Sequence, residues 1–209
     1  MDGRRLRLAA VVLAAGAGSR FSEQPGAKLL AQVGGEPILA RVLREVRAFG
    51  PETTIVVLGR GGDTIVEALD WHDELRVRNH DPDRGISSSL QMGIDALRVL
   101  PDEVDGAFIV LGDQPGLRAD VMRDLRAAAE RESLAERAVI VPRYDRPGAR
   151  NPVLLLRAAW SWVDELAGDS GLGRLIESRP GSVLHVPAAG TMPDVDTPED
   201  LSFLRDQGS

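Results

Sequence analysis

The chain has 209 residues, 43% of them hydrophobic, and sets 25 basic against 32 acidic side chains for a formal charge of −7. That length builds one domain with a sizeable core, and the acidic balance argues against a nucleic-acid binder working through a broad basic surface. Cysteine is absent, which excludes disulfides, thiolate metal sites and thiol nucleophiles and is compatible with the cytoplasm, the expected location; no segment approaches the ~20 apolar residues of a membrane span.

Leu8 to Leu13 is an apolar run with the length of a buried strand. It ends in Ala14-Ala15-Gly16-Ala17-Gly18, whose small side chains leave backbone N–H groups uncovered. A turn of this kind after a strand can wrap those groups around a phosphate. Arg20 and Lys28 add two cations, so the segment suits a nucleoside triphosphate. It is not a dinucleotide fingerprint, because Phe21 stands where the third small residue belongs. It is not a P-loop, because Lys28 lies between Ala27 and Leu29. On the residues alone, an ordinary βα turn stands as an equal alternative. Arg4, Arg5 and Arg7 before Leu8 to Ala15 imitate a short signal peptide with an A-x-A-like end. Cleavage there would destroy the loop, so the run is read as a strand.

Strands and helices then alternate. Pro37 to Phe49 reads as a helix with proline in its first turn, Thr53 to Leu58 as a buried strand, Asp63 to Leu69 as a short helix and Leu75 to Arg78 as a weak strand. Ser87 to Leu100 reads as a helix whose three opening serines are each able to cap it. Ala107 to Leu111 is a central strand, Arg118 to Arg131 a helix and Ala138 to Val141 a strand. Near-continuous apolar strands separated by helices indicate a mainly parallel sheet covered on both faces. After Tyr144 the rhythm changes. A polar loop over Tyr144 to Ala149 leads to a strand at Asn151 to Leu156 and helices at Ala158 to Leu166 and Gly171 to Ser178. A strand at Val183 to Val186 and a helix starting near Pro198 follow. This half reads as an elaboration over the mouth of the sheet.

Asp113 follows Phe108 to Leu111 and Gly112, at the strand end where ligands of open α/β sheets bind. A carboxylate there can hold Mg²⁺ or can simply belong to a turn. Asp194 and Asp196 alternate along an extended segment, and Asp196 or Thr197 can equally cap the helix that Pro198 begins. Lys28 alone reads either as a phosphate contact or as a solvated loop cation. Ser87, Ser88 and Ser89, with Arg84, Gly85 and Asn79 nearby, sit where a ribose or base can dock. Arg143, Asp145, Arg146 and Arg150 precede Asn151-Pro152. His72, His80 and His185 lack metal-like spacing, and Trp71, Trp160 and Trp162 read as core or interface residues, one of which could cover a pterin face.

Leu13-Ala14-Ala15-Gly16-x-Gly18-x-Arg20…Lys28 is followed by Gly112-Asp113-Gln114-Pro115, Asn151-Pro152-Val153-Leu154 and Asp194-Val195-Asp196-Thr197-Pro198-Glu199-Asp200. In this order and spacing, from about Leu8 to Leu204, the chain resembles the molybdenum cofactor cytidylyltransferases and their relatives among the MobA-like NTP transferases. The resemblance implies a single-domain, Rossmann-like three-layer α/β sandwich. Residues 8–115 would form the nucleotide-binding half and 116–209 the acceptor-binding, metal-completing half. It implies a Mg²⁺-dependent transfer of CMP from CTP to molybdopterin with release of pyrophosphate, and a molybdenum enzyme or its maturation factor as a further partner. Lys28, Asp113 and Arg20 would be catalytic. Leu13, Ala14, Ala15, Gly16, Ala17, Gly18, Ser19, Arg20, Lys28, Asn79, Ser87, Ser88, Ser89 and Asp113 would bind the nucleotide. Gln114, Asn151, Pro152, Asp169 and Gly171 would face the acceptor, and Asp113 with Asp196, or Asp194 in reserve, would hold the metal. G-D-Q-P in place of the guanylyl relatives' G-D-M-P favours CTP. A guanylyltransferase, a sugar- or alditol-phosphate transferase on the same fold, and a non-catalytic insertion chaperone are the alternatives.

Overall fold

The computed structural model describes residues 5–16, 21–22, 24–131, 137–145, 150–192, 197 and 200. In chain order the elements are β1 (Leu8–Ala14), α1 (Ala27–Leu30), β2 (Gln32–Val33), β3 (Glu36–Pro37), α2 (Ile38–Phe49), β4 (Thr54–Leu58), α3 (Gly62–Ala68) and β5 (Leu75–Arg78). They continue with α4 (Ile86–Arg98), β6 (Gly106–Leu111), α5 (Ala119–Arg131), β7 (Val139–Tyr144), β8 (Val153–Leu156), α6 (Trp160–Val163), α7 (Leu172–Ser178) and β9 (Val183–Ala188).

Seven strands form one sheet in the order β5-β4-β1-β6-β8-β7-β9. β8 runs against both of its neighbours, and the other pairings are parallel. The fold is therefore a mostly parallel three-layer sandwich. β1 lies inside it, all seven residues buried. Its side chains alternate between the two faces: Leu8, Ala10, Val12 and Ala14 join one core, and Ala9, Val11 and Leu13 the other. On the first face α2 contributes Leu39, Val42, Leu43 and Val46, and α5 contributes Met122 and Leu125. On the second, α4 contributes Leu90, Ile94 and Leu97, each stabilising by about 1.5–3 kcal/mol through burial. The run that imitates a signal peptide is thus an interior strand. No helix among the described residues is long and apolar enough to cross a membrane.

The later half does more than cover the mouth of the sheet. All four β8 residues are buried, and β8 inserts antiparallel between β6 and β7, pairing Ile109 with Val153 and Ile140 with Leu154. Its apolar run needs cover on both faces, which only the sheet interior supplies. The helix expected over Ala158 to Leu166 shrinks to α6 after one 3₁₀ turn at Arg157–Ala159. α1 and the β2–β3 hairpin were not expected, because two to four residues are too short to show a period.

The serines do not cap α4. Gly85 occupies that position, with no side-chain cap, and the serines lie within the first turn. Thr197 and Asp200, the described residues of the expected last helix start, bond each other. Asp200 N–H donates to Thr197 Oγ1 at 3.2 Å, and Thr197 N–H donates to Asp200 Oδ2 at 2.8 Å. The reciprocal pattern is the one a capping box uses; Asp196, the other expected cap, lies outside the described residues.

Candidate active site

After β1 the chain crosses to β4 on one side and later returns to β6 on the other. An open parallel sheet forms a crevice beyond the strand ends at such a reversal. The Gly112 N–H donates to Leu13 O at 2.9 Å, joining the ends of β1 and β6 there. Asp113 follows directly.

Lys28 reaches the same point from α1. Its Nζ donates to Asp113 Oδ2 at 2.7 Å, and the two side chains are 11% and 32% exposed. α1 is held by Leu29, which packs in the same core as Ile65 of α3, and by the turn after β4. Gly61 in that turn has φ +77°, and a Cβ there would collide with the Pro25 carbonyl. Only glycine fits this approach, so the lysine carrier sits close against the sheet.

A cavity of about 390 Å³ opens beside this pair. Ala14, Ala15, Gly16, Lys28 and Asp113 form one wall. Pro82, Asp83, Gly85, Ile86, Ser89 and Asp169 form the other. The second wall is anchored by Gly85, whose φ is +88° and whose Cβ would overlap the Gly168 carbonyl. The Ser87 N–H donates to that carbonyl's oxygen at 3.2 Å. Asn79 lies buried behind Ser88 and Ser89 and bonds both hydroxyls. Asp83 pairs with Arg60.

A second cavity, about 430 Å³, shares Leu13, Ile86 and Leu111 with the first. Leu90, Ile109, Val153, Leu172 and Ile176 line it with apolar surface, and Gln114, Asn151, Arg150 and Glu177 supply polar groups. Arg150 Nη1 and Glu177 Oε1 are 3.1 Å apart. The Asn151–Pro152 peptide is cis. Tyr144 Oη donates to Asn151 O at 2.9 Å. Burial pushes the Tyr144 phenol up to about 12, with Arg118 opposing the shift and Asp120 adding to it. Arg41 Nε donates to Pro115 O at 3.0 Å and steadies the turn that carries Gln114.

Of the expected site residues, Leu13, Ala14, Ala15, Gly16, Lys28, Ser89 and Asp113 line the first cavity. Gln114, Asn151 and Gly171 line the second. Asp169, expected on the acceptor side, lines the first cavity. Ser87, Ser88, Asn79 and Pro152 stand behind the walls, outside both linings. Ala17, Gly18, Ser19, Arg20, Asp194 and Asp196 lie outside the described residues. No tryptophan lines either cavity; Trp160 is buried, and its Nε1 donates to Leu155 O at 3.3 Å. Among the described residues no three His, Cys, Asp or Glu side chains gather to hold a metal.

Residues 10–183 match the MobA-like NTP transferase domain. The chain belongs to this family. The crevice at the β1–β6 reversal is where the chain presents its charged pair. The chain is 32% identical over 181 residues to the bifunctional protein GlmU of Corynebacterium aurimucosum, a match covering 84% of this chain and 31% of that protein. It is 39% identical over 124 residues to the GlmU of Chromobacterium violaceum, covering 58% and 26%. The chain thus spans a third or less of these curated relatives. Among solved structures, an Rv0371c homolog from Mycobacterium sp. strain JC1 superposes with a TM-score of 0.81 at 29% identity, covering 96% of both chains. Rv0371c of Mycobacterium tuberculosis in complex with manganese superposes with a TM-score of 0.77 at 26% identity, covering 96% and 98%.

The residues that motif reading missed are Asp83, Ile86, Glu177 and the apolar lining of the second cavity. They come from separate elements and form no local pattern. For Lys28 a plain signal was present. It is the only lysine in a chain that otherwise uses 24 arginines.

Proposed function

We propose that this MobA-like NTP transferase joins a nucleoside monophosphate to a phosphorylated acceptor, with CTP and molybdopterin as the substrates. The Lys28–Asp113 pair at the β1–β6 crevice carries the reading, because it sets a cation and a carboxylate beside a cavity walled by small residues. Ala14, Ala15, Gly16 and Lys28 would hold the triphosphate. An oxygen of the acceptor phosphate would attack the α-phosphorus and form the new P–O bond. The bond to the β-phosphate's bridging oxygen would break, and pyrophosphate would leave with its electron pair. Lys28 would offset the charge that gathers on the leaving group. Holding the two substrates in line supplies the rest of the acceleration, and no protein nucleophile takes part.

The donor set fits a divalent cation shared with the substrate. Asp113 is partly exposed at the cavity, and Lys28 takes only one of its oxygens. Mg²⁺ commonly uses one or two carboxylates together with substrate phosphates. Asp113, with Asp196 as the second carboxylate, would hold the ion, which supplies charge neutralisation at the α-phosphate. Manganese in Rv0371c supports divalent-metal dependence. The acceptor would lie in the second cavity against Gln114, Asn151 and Arg150.

The choice of CTP rests on Gly112-Asp113-Gln114-Pro115. A second reading, transfer to a sugar or alditol phosphate, is favoured by one observation: among the described residues no aromatic ring lines the second cavity to stack on a pterin. Pyrophosphate release with each of the four triphosphates, against molybdopterin, sugar 1-phosphates and alditol phosphates, tests both. CTP with molybdopterin is the expected pair. Preference for GTP would overturn the base assignment, and turnover only with a sugar or alditol phosphate would overturn the acceptor.

A further inference from the structure

Asp113 and Gln114 are neighbours in the chain, yet the first lines one cavity and the second lines the other. The turn that carries them, residues 112–118 between β6 and α5, must therefore be fixed in both place and rotation. Its upstream end is tied to the sheet, because the Gly112 N–H donates to Leu13 O. Downstream the chain leaves the sheet for α5. Pro115 has no N–H to give, and the Leu117 N–H donates back to Gln114 O at 3.1 Å. Further ties come from α2, which lies behind the turn. Arg41 Nε donates to Pro115 O at 3.0 Å. The Ala119 N–H, at the first residue of α5, donates to Glu45 Oε2 at 3.1 Å. Neither Arg41 nor Glu45 lines either cavity.

Arg41 and Glu45 stand one helical turn apart on α2, where opposite charges are placed to pair with each other. Here each reaches the backbone of the turn instead. A guanidinium on a carbonyl and a carboxylate on an N–H are charge-assisted bonds, shorter and stronger than neutral ones. The Ala119 N–H is one of the donors that a helix start leaves without a partner inside the helix, so Glu45 fixes where α5 begins. Arg41 fixes the carbonyl of Pro115, next to Gln114. We propose that Arg41 and Glu45 are positioning residues, a clamp on the 112–118 turn that sets Asp113 and Gln114 jointly and with them the placement of one substrate against the other. The clamp bears on catalysis through the proposed function, in which Asp113 holds the ion at the α-phosphate and Gln114 faces the acceptor.

The test follows three quantities in the full chain and in Arg41→Met, Arg41→Lys, Glu45→Ala and Glu45→Gln. They are turnover of CTP with molybdopterin, equilibrium binding of CTP without divalent metal, and binding of Mn²⁺ in the presence of CTP, read from the paramagnetic resonance of the free ion. Methionine keeps most of the aliphatic stem and removes the donor, whereas lysine keeps a donor and glutamine keeps an acceptor oxygen. Arg41→Met should lower kcat about ten- to a hundredfold, the cost of a small misplacement at the reacting groups, and raise the acceptor KM. It should weaken Mn²⁺ binding about three- to tenfold. Metal-free CTP binding should stay unchanged, because Lys28 and Ala14 to Gly16 are carried by other parts of the chain. Glu45→Ala should move the same quantities in the same direction, and Arg41→Lys and Glu45→Gln should recover most of each loss. Thermal melting identifies a variant that has not folded; if Arg41→Met fails there, Glu45→Ala against Glu45→Gln decides. A lower melting temperature with kcat, acceptor KM and Mn²⁺ binding unchanged would overturn the proposal, as would an equal loss of metal-free CTP binding. If the unmodified chain binds CTP and Mn²⁺ but transfers nothing to molybdopterin, the acceptor assignment falls and the Mn²⁺ arm still decides the clamp. If it binds neither, the proposed function falls first and the clamp's role with it.

Discussion

The two cavities share a wall at Leu13, Ile86 and Leu111 but are built from different material. The first is made of chain turns. Ala14 ends β1 and Ala15 and Gly16 follow it, Pro82 to Gly85 precede α4, and the half-buried cation Lys28 projects from a four-residue helix. The second is made of core side chains, including Leu90 of α4, Ile109 of β6, Val153 of β8 and Ile176 of α7, with polar groups from Gln114, Asn151 and Arg150. Turns leave backbone N–H groups free to meet an anion, whereas packed strands and helices offer shape. On the proposed function, charge would be handled where the backbone is uncovered, and the bulk of the acceptor where the core comes to the surface. Three perturbations probe this division.

The largest effect is expected at Asp113, which sits where the two cavities meet the β6 end. Asp113→Asn keeps the size of the side chain and a partner atom for Lys28, so the fold should hold. Loss of the carboxylate charge weakens the hold on a divalent ion at the α-phosphate, and most of the turnover should disappear. Activity near that of the unmodified chain at saturating Mg²⁺ would show that this carboxylate belongs only to the turn.

The two cavity cations should separate the two substrates. Lys28→Ala should weaken triphosphate binding by about 1.5–3 kcal/mol, roughly ten- to a hundredfold, the cost of one charge-assisted bond. Lys28→Arg should recover only part of this, because a planar fork cannot replace a compact ammonium in a confined position. Arg150→Ala should instead raise the acceptor KM about tenfold and leave triphosphate affinity alone. If Arg150→Ala weakens the triphosphate and Lys28→Ala the acceptor, the assignment of the cavities is reversed.

The same division explains what could be read from the sequence. The β1 run, its small-residue turn and Gly112-Asp113 are contiguous, so their chemistry shows in one stretch of chain. The sheet's parallel half was legible for the same reason, since apolar runs such as Thr53 to Leu58 are bounded by turn residues. The insertion of β8 between β6 and β7 was not legible, because an apolar run does not name its neighbour. Nor were the walls of the second cavity, where Leu90 and Ile176 read only as helix core positions. Gly85 went unrecognised as the start of α4 because three serines beside it offered an ordinary cap, while the deciding contact with Gly168 is remote in sequence.

The smallest effect concerns how firmly the second cavity is anchored. Tyr144 ends β7, is 8% exposed, and donates to Asn151 O at the cavity's rim. Its phenol is raised from 10.0 to about 12, first by burial, against Arg118 and with Asp120. A phenol is neutral when protonated, so between these two values the folded state holds a proton that the unfolded state has released. Stability from this group is therefore complete below pH 10 and is lost as pH rises toward 12. The total is at most about 3 kcal/mol from a shift of this size. Tyr144→Phe should lose about 1 kcal/mol at neutral pH through the missing bond to Asn151, yet should show a shallower decline in this alkaline window. The chain has a single tyrosine, so tyrosinate absorbance reports this group without overlap. Denaturant melts across the window, compared with that absorbance, give both quantities at once. A phenolate that appears at the ordinary tyrosine pKa in the folded protein would mean that the β7 end is open to water, and that the rim of the second cavity is not fixed as Asn151 requires.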